Sequence, residues 1–227
     1  MILGTWNIRA GDARAHAERL RKHYGAGVFA IQECRQPPPL DMDIPWAGAI
    51  PSKGLAVVCS DGFEIAALPG PHSHDGLPVR VLGPRPFTFM GLWSHGSLGV
   101  TYPECVRNTV RAYREVLRDQ DVVLAGDLNS NQEFAHLNRR LTHADLVQWL
   151  HESLGVVSAW HAVRSEAPGQ ESTPTYYHRG KQKAPFHLDY VFVPEHWLPS
   201  ITRVEIGSFD EWSSSDHRPV IVEIQAI

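Results

Sequence analysis

The sequence is poor in three features that mark broad classes of protein: surplus positive charge, cysteine and long apolar runs. Its 21 Lys and Arg residues against 25 Asp and Glu residues give a formal net charge of −4, so no global positive field attracts a polyanion. The three cysteines are too few and too scattered for a disulfide framework or a zinc cluster, and we expect buried free thiols in a reducing compartment. Any anionic ligand must therefore be attracted by a few local cations.

No apolar run approaches the ~20 residues that a membrane-spanning helix needs. The N-terminal stretch MILGTWNIRAG also lacks the basic segment and apolar core of a signal peptide. We therefore expect a cytoplasmic protein without a membrane partner, and the sequence indicates no obligate protein partner. Its 227 residues, of which 43% are hydrophobic, suffice for a sizeable core.

Short β-like runs recur along the chain, and amphipathic helical patterns lie between some of them. This mixture predicts α/β layers, with a mixed sheet or a pair of sheets as the core. The predicted strands are 2–8, 28–32, 55–59, 87–93, 121–125, 190–193, 201–206 and 219–224. The predicted helices are 13–24 between Asp12 and Gly25, a helix with Pro103 in its first turn and an apolar stripe over 106–117, and 146–154 between Thr142 and Gly155.

A proline-rich stretch, RQPPPLDMDIPW, interrupts this pattern and is predicted to be a loop. Its three consecutive prolines, 37–39, have the composition of a domain boundary. The strands on either side nevertheless look like members of one sheet system. We therefore predict a single domain over residues 1–227.

Polar residues lie at the ends of several predicted strands. The runs ILGTWN, VFAIQE and VVLAGDLN end in them, whereas HLDYVFV and SDHRPVIV have them at or near the start. If the last two strands are antiparallel to the first three, all of these groups meet at one edge of the core. The residues are Asn7, Glu33, Asp127, Asn129, Asp189, Asp216 and His217.

Each of these groups alone has an ordinary explanation. Asn7 can be a turn residue, Glu33 a surface carboxylate, and GDLN a sharp turn made at its glycine. Asp189 can cap a loop, while Asp216 and His217 can pair with other charges on the surface. Their joint occurrence at strand ends, in this order, favours a functional site.

The ordered segments TWN, QE, GDLN, LDYVFV and SDHRPV resemble those of the endonuclease/exonuclease/phosphatase superfamily, from Asn7 to the final strand. The resemblance implies a four-layered α/β/β/α sandwich, in which two packed mixed β-sheets lie between outer helices. It also implies hydrolysis of phosphoric esters with a divalent metal, Mg²⁺ or Mn²⁺. The strand and helix pattern is compatible with that fold but does not single it out.

The resemblance also implies roles for the residues at the strand ends. Glu33 is the expected metal ligand, with Asn7 and Asp216 next, because Mg²⁺ prefers oxygen and often takes only one or two carboxylates. Asp127 is expected to orient or deprotonate the attacking water, and Asn129 to donate to a phosphate oxygen. His217 is expected to act as a general base or as a phosphate-binding imidazolium, and Asp189 to hold the tautomer of that ring.

Further candidates flank this set. In FMGLWSHGS, Trp93 or His95 takes the place where family members carry a His or Tyr that contacts the phosphate. We favour His95, because an imidazole can exchange a proton and an indole can only donate weakly. In TPTYYHRGKQK, Tyr176 and Tyr177 precede several cations and are predicted to stack a base, although a solvated basic loop explains them equally well.

Arg9 departs from one branch of the family. Exonuclease III-like members usually carry an acidic or amide residue there, whereas NIR is more similar to the deoxyribonuclease I variant. Its guanidinium suits a phosphate and weakens the case for a second metal, although an exposed surface arginine explains it equally well.

Together these residues predict a nuclease that hydrolyses phosphodiester bonds of DNA or RNA, with nucleic acid as its substrate. A small-molecule phosphodiesterase or phosphatase is the alternative, because the chain has no basic surplus and no obvious DNA-clamping insertion. The segment TPTYYHRG departs from the PAWTDR-type segment of inositol phosphatases. A non-catalytic binding module of the same fold is disfavoured, because the polar set is complete.

Overall fold

The structure is a computed structural model that describes residues 1–39, 43–60, 62–71, 73–118, 120–137 and 140–225. Its strands are, in chain order, β1 Ile2–Asn7, β2 Gly27–Cys34, β3 Trp46–Ile50, β4 Lys53–Cys59, β5 Glu64–Ala67, β6 Gly76–Leu82, β7 Phe87–Trp93, β8 Val122–Asp127, β9 Val156–Ser158, β10 Tyr176–Tyr177, β11 Pro185–Phe186, β12 Asp189–Pro194, β13 Ile201–Ile206 and β14 Val220–Ile224. Its α-helices are α1 Ala13–Tyr24, α2 Tyr102–Ala112, α3 Arg114–Leu117, α4 His143–Leu154 and α5 Ala159–Arg164.

Twelve of the strands form two mixed sheets of six strands each. The first sheet has the order β13-β14-β1-β2-β4-β3, and the second has the order β5-β6-β7-β8-β12-β9. The pairs β1–β2 and β7–β8 are parallel, and the other pairs in both sheets are antiparallel. Strands β10 and β11 form a separate two-stranded ribbon.

The two sheets pack face to face, and helices cover their outer faces. Between the sheets, Leu3 and Val57 of the first share a core with Phe89 and Val191 of the second. Burial of a side chain of this size contributes roughly 1.5–3 kcal/mol. The apolar face of α1 packs on the first sheet, while those of α2 and α4 pack on the second. The predicted four-layered α/β/β/α sandwich is confirmed.

The predicted ends of two helices are confirmed. Asp12 caps α1 by accepting a hydrogen bond from the Ala15 N–H at 2.9 Å, and Gly25 ends the helix at φ 109°. At α4, Thr142 and Asp145 form a reciprocal capping box, and Gly155 ends the helix at φ 65°. A positive φ is costly for other residues, which explains why each of the two helices ends at a glycine.

The prediction for the second helix was wrong at its C-terminal end only. Helix α2 begins at Tyr102, where Thr101 and Glu104 form a capping box, and Pro103 lies in its first turn as predicted. It ends at Ala112, since Tyr113 leaves the helical region with φ −99° and ψ 8°, and α3 is a separate short helix.

The glycine of GDLN does not make a sharp turn, which was the ordinary explanation for this motif. Gly126 lies inside β8, where the strand passes close to β7. A Cβ at this position would collide with the backbone carbonyl of Leu92. The glycine therefore allows a close approach between parallel strands, and the backbone turns two residues after Asp127, at Asn129 with φ 48°.

The three cysteines are free thiols. Cys34 and Cys105 are buried free thiols as predicted, whereas the free thiol of Cys59 is half-buried. Burial raises the pKa of Cys34 to about 12. Within the predicted proline-rich loop, residues 40–42 lie outside the described part of the chain. None of the helices in the described ranges is long and apolar enough to cross a membrane.

Candidate active site

The topology places the polar strand ends at one edge of the sandwich, as predicted. Because β1 and β2 are parallel, Asn7 and Glu33 lie at the same end of neighbouring strands. In the second sheet, Asp127 ends β8 and lies opposite Asp189, the first residue of antiparallel β12. His217 precedes β14, which is antiparallel to β1, and therefore enters the same edge.

Three residues at this edge have a left-handed backbone. The φ angles are 63° at Arg9, 61° at Glu33 and 48° at Asn129. Such a conformation costs about 1–3 kcal/mol in a residue other than glycine, and it is concentrated at functional sites. At Glu33 it coincides with a β-bulge, which leaves Gln32 buried between the sheets and Glu33 at the edge.

Asn7, Asp127 and Asn129 are joined by hydrogen bonds in the centre of the site. The Asn7 amide donates to Glu33 Oε1 at 3.2 Å and to Asp127 Oδ2 at 3.0 Å. The Asn129 backbone N–H donates to Asp127 Oδ1 at 2.9 Å, and its side-chain amide donates to Ser94 O at 3.1 Å. One carboxylate, that of Asp127, is thus held from both sides.

The predicted bond between Asp189 and His217 is present. His217 Nδ1 lies 2.9 Å from Asp189 Oδ2, which also accepts a 2.6 Å hydrogen bond from the Thr175 hydroxyl. The other ring nitrogen, Nε2, lies 3.8 Å from Asp127 Oδ2. With Nδ1 donating to a fixed carboxylate, the orientation of the ring is set and Nε2 points towards Asp127.

Burial and mutual charge shift the pKa values of this pair. Burial raises the pKa of Asp127 to about 7, with the His217 imidazole opposing the shift and Asp189 adding to it. Burial disfavours a charged His217, but the carboxylates of Asp189 and Asp127 outweigh this cost and raise its pKa to about 9. The surrounding carboxylates therefore favour a protonated His217 beside Asp127.

Ser215 fixes the segment that carries Asp216 and His217. Its hydroxyl donates to Asn7 O at 2.7 Å and accepts from the His217 N–H at 3.1 Å. Asp216 lies between them, half-buried, and its backbone carbonyl accepts from the Tyr177 N–H at 2.8 Å. The end of β1 and the approach to β14 are thus tied together.

Tyr176 lies over this cleft, whereas Tyr177 turns away from it. The Tyr176 ring is 4.6 Å from that of His217, and burial followed by the charges of Asp216, Asp127 and Glu33 raises the pKa of its phenol. Tyr177 instead packs against Phe209 and the guanidinium of Arg218. Tyr176 is therefore placed to make the predicted substrate contact. Tyr177 was predicted to make the same contact, but it packs against Phe209 and Arg218 instead.

Sequence reasoning missed Lys53, the first residue of β4. Its ammonium lies 2.5 Å from Glu33 Oε2 and 5.8 Å from the centroid of the Trp93 ring. Strand β4 pairs with β2, so a long side chain at its start reaches the end of β2. No local motif marks this lysine, because its partners come together only through the sheet.

Trp93 and His95 both lie on the side of the site near Lys53. Trp93 ends β7 in register with Asp127 on β8 and is 7% exposed. The His95 ring contacts it edge to face at 3.9 Å, and His95 Nδ1 lies 2.8 Å from Asp75 Oδ1. Asp75, also missed from the sequence, therefore fixes the more exposed imidazole of His95.

Two carboxylates at this edge of the sandwich suit a divalent cation. Glu33 and Asp216 offer the carboxylate oxygens that Mg²⁺ and Mn²⁺ prefer. The ammonium of Lys53 on Glu33 shows that this position accepts a positive charge. Asn7, in contrast, turns its amide nitrogen to the carboxylates while its oxygen accepts from the Arg9 N–H, so in this arrangement it orients Glu33.

A second group, Asp127, Asp189 and His217, also brings three ligand atoms within 4.8 Å of one another. The Nδ1 atom of His217 is already bonded to Asp189, however. A hard cation also prefers oxygen to imidazole nitrogen. We therefore favour Glu33 over this group as the anchor of a metal.

Comparisons with known proteins agree with the geometry. The sequence profile of the Endonuclease/Exonuclease/phosphatase family matches residues 4–217. No curated protein matches the sequence at a significant level.

Several solved structures are similar to the chain over its whole length. The 3′ phosphatase NExo from Neisseria, in a structure bound to product DNA hairpin, is 17% identical, with a TM-score of 0.70 and 99% of each chain covered. The 3′-5′ exonuclease NExo from Neisseria meningitidis is 18% identical, with a TM-score of 0.68 and coverage of 99% of this chain and 100% of that one. An AP endonuclease from Archaeoglobus fulgidus is 13% identical, with a TM-score of 0.67 and 99% of each chain covered.

Proposed function

Because the chain belongs to the endonuclease/exonuclease/phosphatase family, and is thus a phosphoric ester hydrolase, we propose that it cleaves phosphodiester bonds of nucleic acid, with DNA preferred. One observation carries the proposal: Asn7, Glu33, Asp127 and Asn129 form one hydrogen-bonded network, which the Asp189–His217 pair approaches at Asp127. DNA is supported by the product hairpin bound to the Neisseria 3′ phosphatase.

Enzymes of this family depend on a divalent metal, and Glu33 and Asp216 are the residues that hold it in our proposal. When bound, Mg²⁺ or Mn²⁺ supplies positive charge to the phosphate and to the oxygen that leaves. Every other part of the reaction uses side chains of this chain.

Asp127 is the group that orients the attacking water and accepts its proton. Its two oxygens are held by Asn7 and Asn129, so the carboxylate has one orientation. A fixed carboxylate places the water in line with the phosphorus, which contributes more than basicity alone. Asn129 also has an amide that can donate to a phosphate oxygen.

His217 is the group that binds the phosphate and moves a proton through Nε2. Asp189 holds Nδ1, and Thr175 holds Asp189, so the ring does not rotate when charge develops. Flanking carboxylates favour the positively charged ring, which stabilises negative charge on a phosphate oxygen. Tyr176 lies against the same ring and closes this side of the cleft.

The charge of the chain limits how the substrate is held. A net charge of −4 gives no broad basic surface for a long duplex. Arg9 is exposed beside Asn7 and offers a guanidinium to a neighbouring phosphate. We therefore propose that the enzyme contacts only a few nucleotides around the scissile bond.

The test is a comparison of substrates with Mg²⁺ or Mn²⁺ present: plasmid, a duplex with an abasic site, single-stranded DNA, RNA and nucleotide phosphoesters. We expect cleavage of at least one DNA substrate, and loss of that cleavage in Asp127→Asn. Hydrolysis of nucleotide phosphoesters alone, with every polynucleotide left intact, would overturn the nuclease and favour a small-molecule phosphodiesterase.

A further inference from the structure

A cavity of about 470 Å³ lies beside the catalytic cleft, and none of the proposed steps uses it. Its walls include Ile50, Lys53, Asp75, Trp93 and His95. The volume lies within the ~300–1,000 Å³ range of small-molecule sites. We refer to it as the side cavity.

The side cavity and the catalytic cleft share Lys53. The ammonium of Lys53 contacts Glu33 in the cleft and lies 5.8 Å from the Trp93 ring centroid in the cavity. Trp93 is also the strand neighbour of Asp127. A ligand whose phosphate occupies the cleft can therefore extend directly into the cavity.

The walls combine apolar and aromatic surface with one cation, the ammonium of Lys53. Ile50 ends β3 and is 55% exposed, so its side chain presents apolar surface to the cavity. The His95 ring stands against Trp93, and Asp75 fixes it by accepting hydrogen bonds at His95 Nδ1 (2.8 Å) and N–H (3.0 Å). Apolar walls of this kind pack a planar ring, and the Lys53 cation is complementary to its polar edge and to an attached phosphate.

We propose that the side cavity binds the nucleobase of the nucleotide whose phosphate lies in the catalytic cleft. The proposal rests on the proposed function, because it places that phosphate at Glu33 and Asp127. A flat heteroaromatic ring satisfies both kinds of wall: its faces pack on Ile50 and the aromatic side chains, and its edge accepts from Lys53. An aliphatic occupant would leave the Lys53 ammonium facing an apolar surface, which is unfavourable.

The test is inhibition of bis-p-nitrophenyl phosphate hydrolysis by two probes, deoxyadenosine 5′-monophosphate and 2-deoxyribose 5-phosphate. They carry the same sugar phosphate, and only the first carries a base. We expect the inhibition constant of the nucleotide to be roughly 10-fold lower, in line with one stacked base. Equal inhibition constants for the two probes would overturn the proposal.

A matched pair of variants locates the effect. Ile50→Asn should reduce the ratio of the two inhibition constants to about a third or less of its wild-type value, because it removes an apolar wall. Leu82→Asn, which replaces another exposed apolar residue, at the end of β6, should keep the wild-type ratio. A ratio that Ile50→Asn leaves at the wild-type value would contradict the placement of the base.

A binding measurement separates this proposal from the proposed function. In a methyl-labelled NMR sample of the full chain, the Ile50 methyl resonances should shift with deoxyadenosine 5′-monophosphate and stay in place with 2-deoxyribose 5-phosphate. If the protein hydrolyses no phosphoester yet Ile50 shifts in this way, the proposed function fails and the base site stands. If hydrolysis proceeds and Ile50 does not respond, the base site fails alone.

Discussion

At the scale of single residues, the catalytic proposal depends most on the contact between Asp189 and His217. The ring is 5% exposed and its Nδ1 is committed to Asp189, so Nε2 is the nitrogen left for chemistry. Asp127 Oδ2, 3.8 Å from that nitrogen, marks where the reacting groups meet. Removal of the imidazole should therefore affect the reaction more than binding.

We expect His217→Ala to lower kcat by roughly 10²–10⁴-fold with a modest change in KM, the range for a group that transfers a proton or stabilises charge. Asp189→Asn should resemble it, because the amide no longer fixes the ring. His151→Ala removes an exposed imidazole on α4 and is the matched control. Steady-state kinetics on a phosphodiester measure kcat and KM. A near-wild-type kcat in His217→Ala would exclude a role for His217 in proton transfer or charge stabilisation.

Substitutions of Glu33 and of Lys53 should change the metal affinity of the protein in opposite directions. Glu33→Gln removes an anionic ligand and should weaken Mn²⁺ binding, whereas Lys53→Met removes a competing cation 2.5 Å from the same carboxylate. Two unit charges about 4 Å apart interact by about 1 kcal/mol in water and about 4 kcal/mol near a protein surface, and Lys53 is 45% exposed, so Lys53→Met should tighten binding roughly tenfold. Calorimetric titration measures both changes, with the exposed Arg35→Met as control. Unchanged affinity in Glu33→Gln would show that the metal binds elsewhere.

The sequence predicted the residues that line the candidate site better than their partners. Asn7, Glu33, Asp127 and His217 are recognisable because each occupies a short motif at a strand end. Lys53, Asp75 and Thr175 carry no such mark, since each becomes relevant only when a neighbouring strand or loop brings its partner within reach.

At the scale of elements, helix α4 carries a pH-sensitive residue into the core. His143, its first residue, is fully buried, with Nδ1 3.1 Å from the Ser130 hydroxyl and the ring against Tyr190. Its Nε2 finds no hydrogen-bond partner among the described residues. Burial lowers the pKa of His143 to about 3, although Glu171 raises it slightly.

This burial predicts a loss of stability in mild acid. The unfolded imidazole takes up a proton below a pKa of about 6.5, while the folded one stays neutral until about pH 3, so the stability present above pH 6.5 is lost as the pH falls towards 3. At pH 5 the loss from this residue is roughly 2 kcal/mol. Urea denaturation at pH 7.5 and 5.0 measures it.

The control for this effect is a pair of glutamine variants. His143→Gln should lose less stability between the two pH values than the wild type, because the glutamine does not titrate. His151→Gln, at an exposed position on the same helix, should behave as the wild type. An equal pH dependence in wild type and His143→Gln would show that other groups dominate.

Elements with clear end signals were predictable and others were not. Helices α1 and α4 have an N-cap and a final glycine, and their predicted ends are confirmed. Strand β6 was missed because it contains Pro78, a residue that ordinarily argues against a strand inside a sheet. Strands β10 and β11 have two residues each, too short for any periodicity.

At the scale of the whole molecule, the two sheets share one core cluster. Side chains of β1, β2 and β4 pack against those of β6, β7 and β8. The four layers could not be derived from periodicity alone, because many strands with a few helices fit several architectures. The four-layered sandwich was predicted from the resemblance of the ordered motifs to those of the family.

The shared core predicts that the chain unfolds as a single domain. Far-ultraviolet circular dichroism and tryptophan fluorescence should report one coincident urea transition, because separating the two sheets would expose the inner face of each. Two separated transitions would indicate two domains and contradict the prediction for residues 1–227.

The central claim is that the edge at Glu33, Asp127 and His217 is a metal-dependent phosphoesterase site. Hydrolysis of bis-p-nitrophenyl phosphate, measured with Mg²⁺ or Mn²⁺ and again after addition of a chelator, tests it most directly. We predict activity that requires the metal, is lost with the chelator, returns when metal is restored in excess, and falls by at least ~100-fold in Asp127→Asn. Activity that survives the chelator, or that Asp127→Asn retains at the wild-type rate, would contradict the claim.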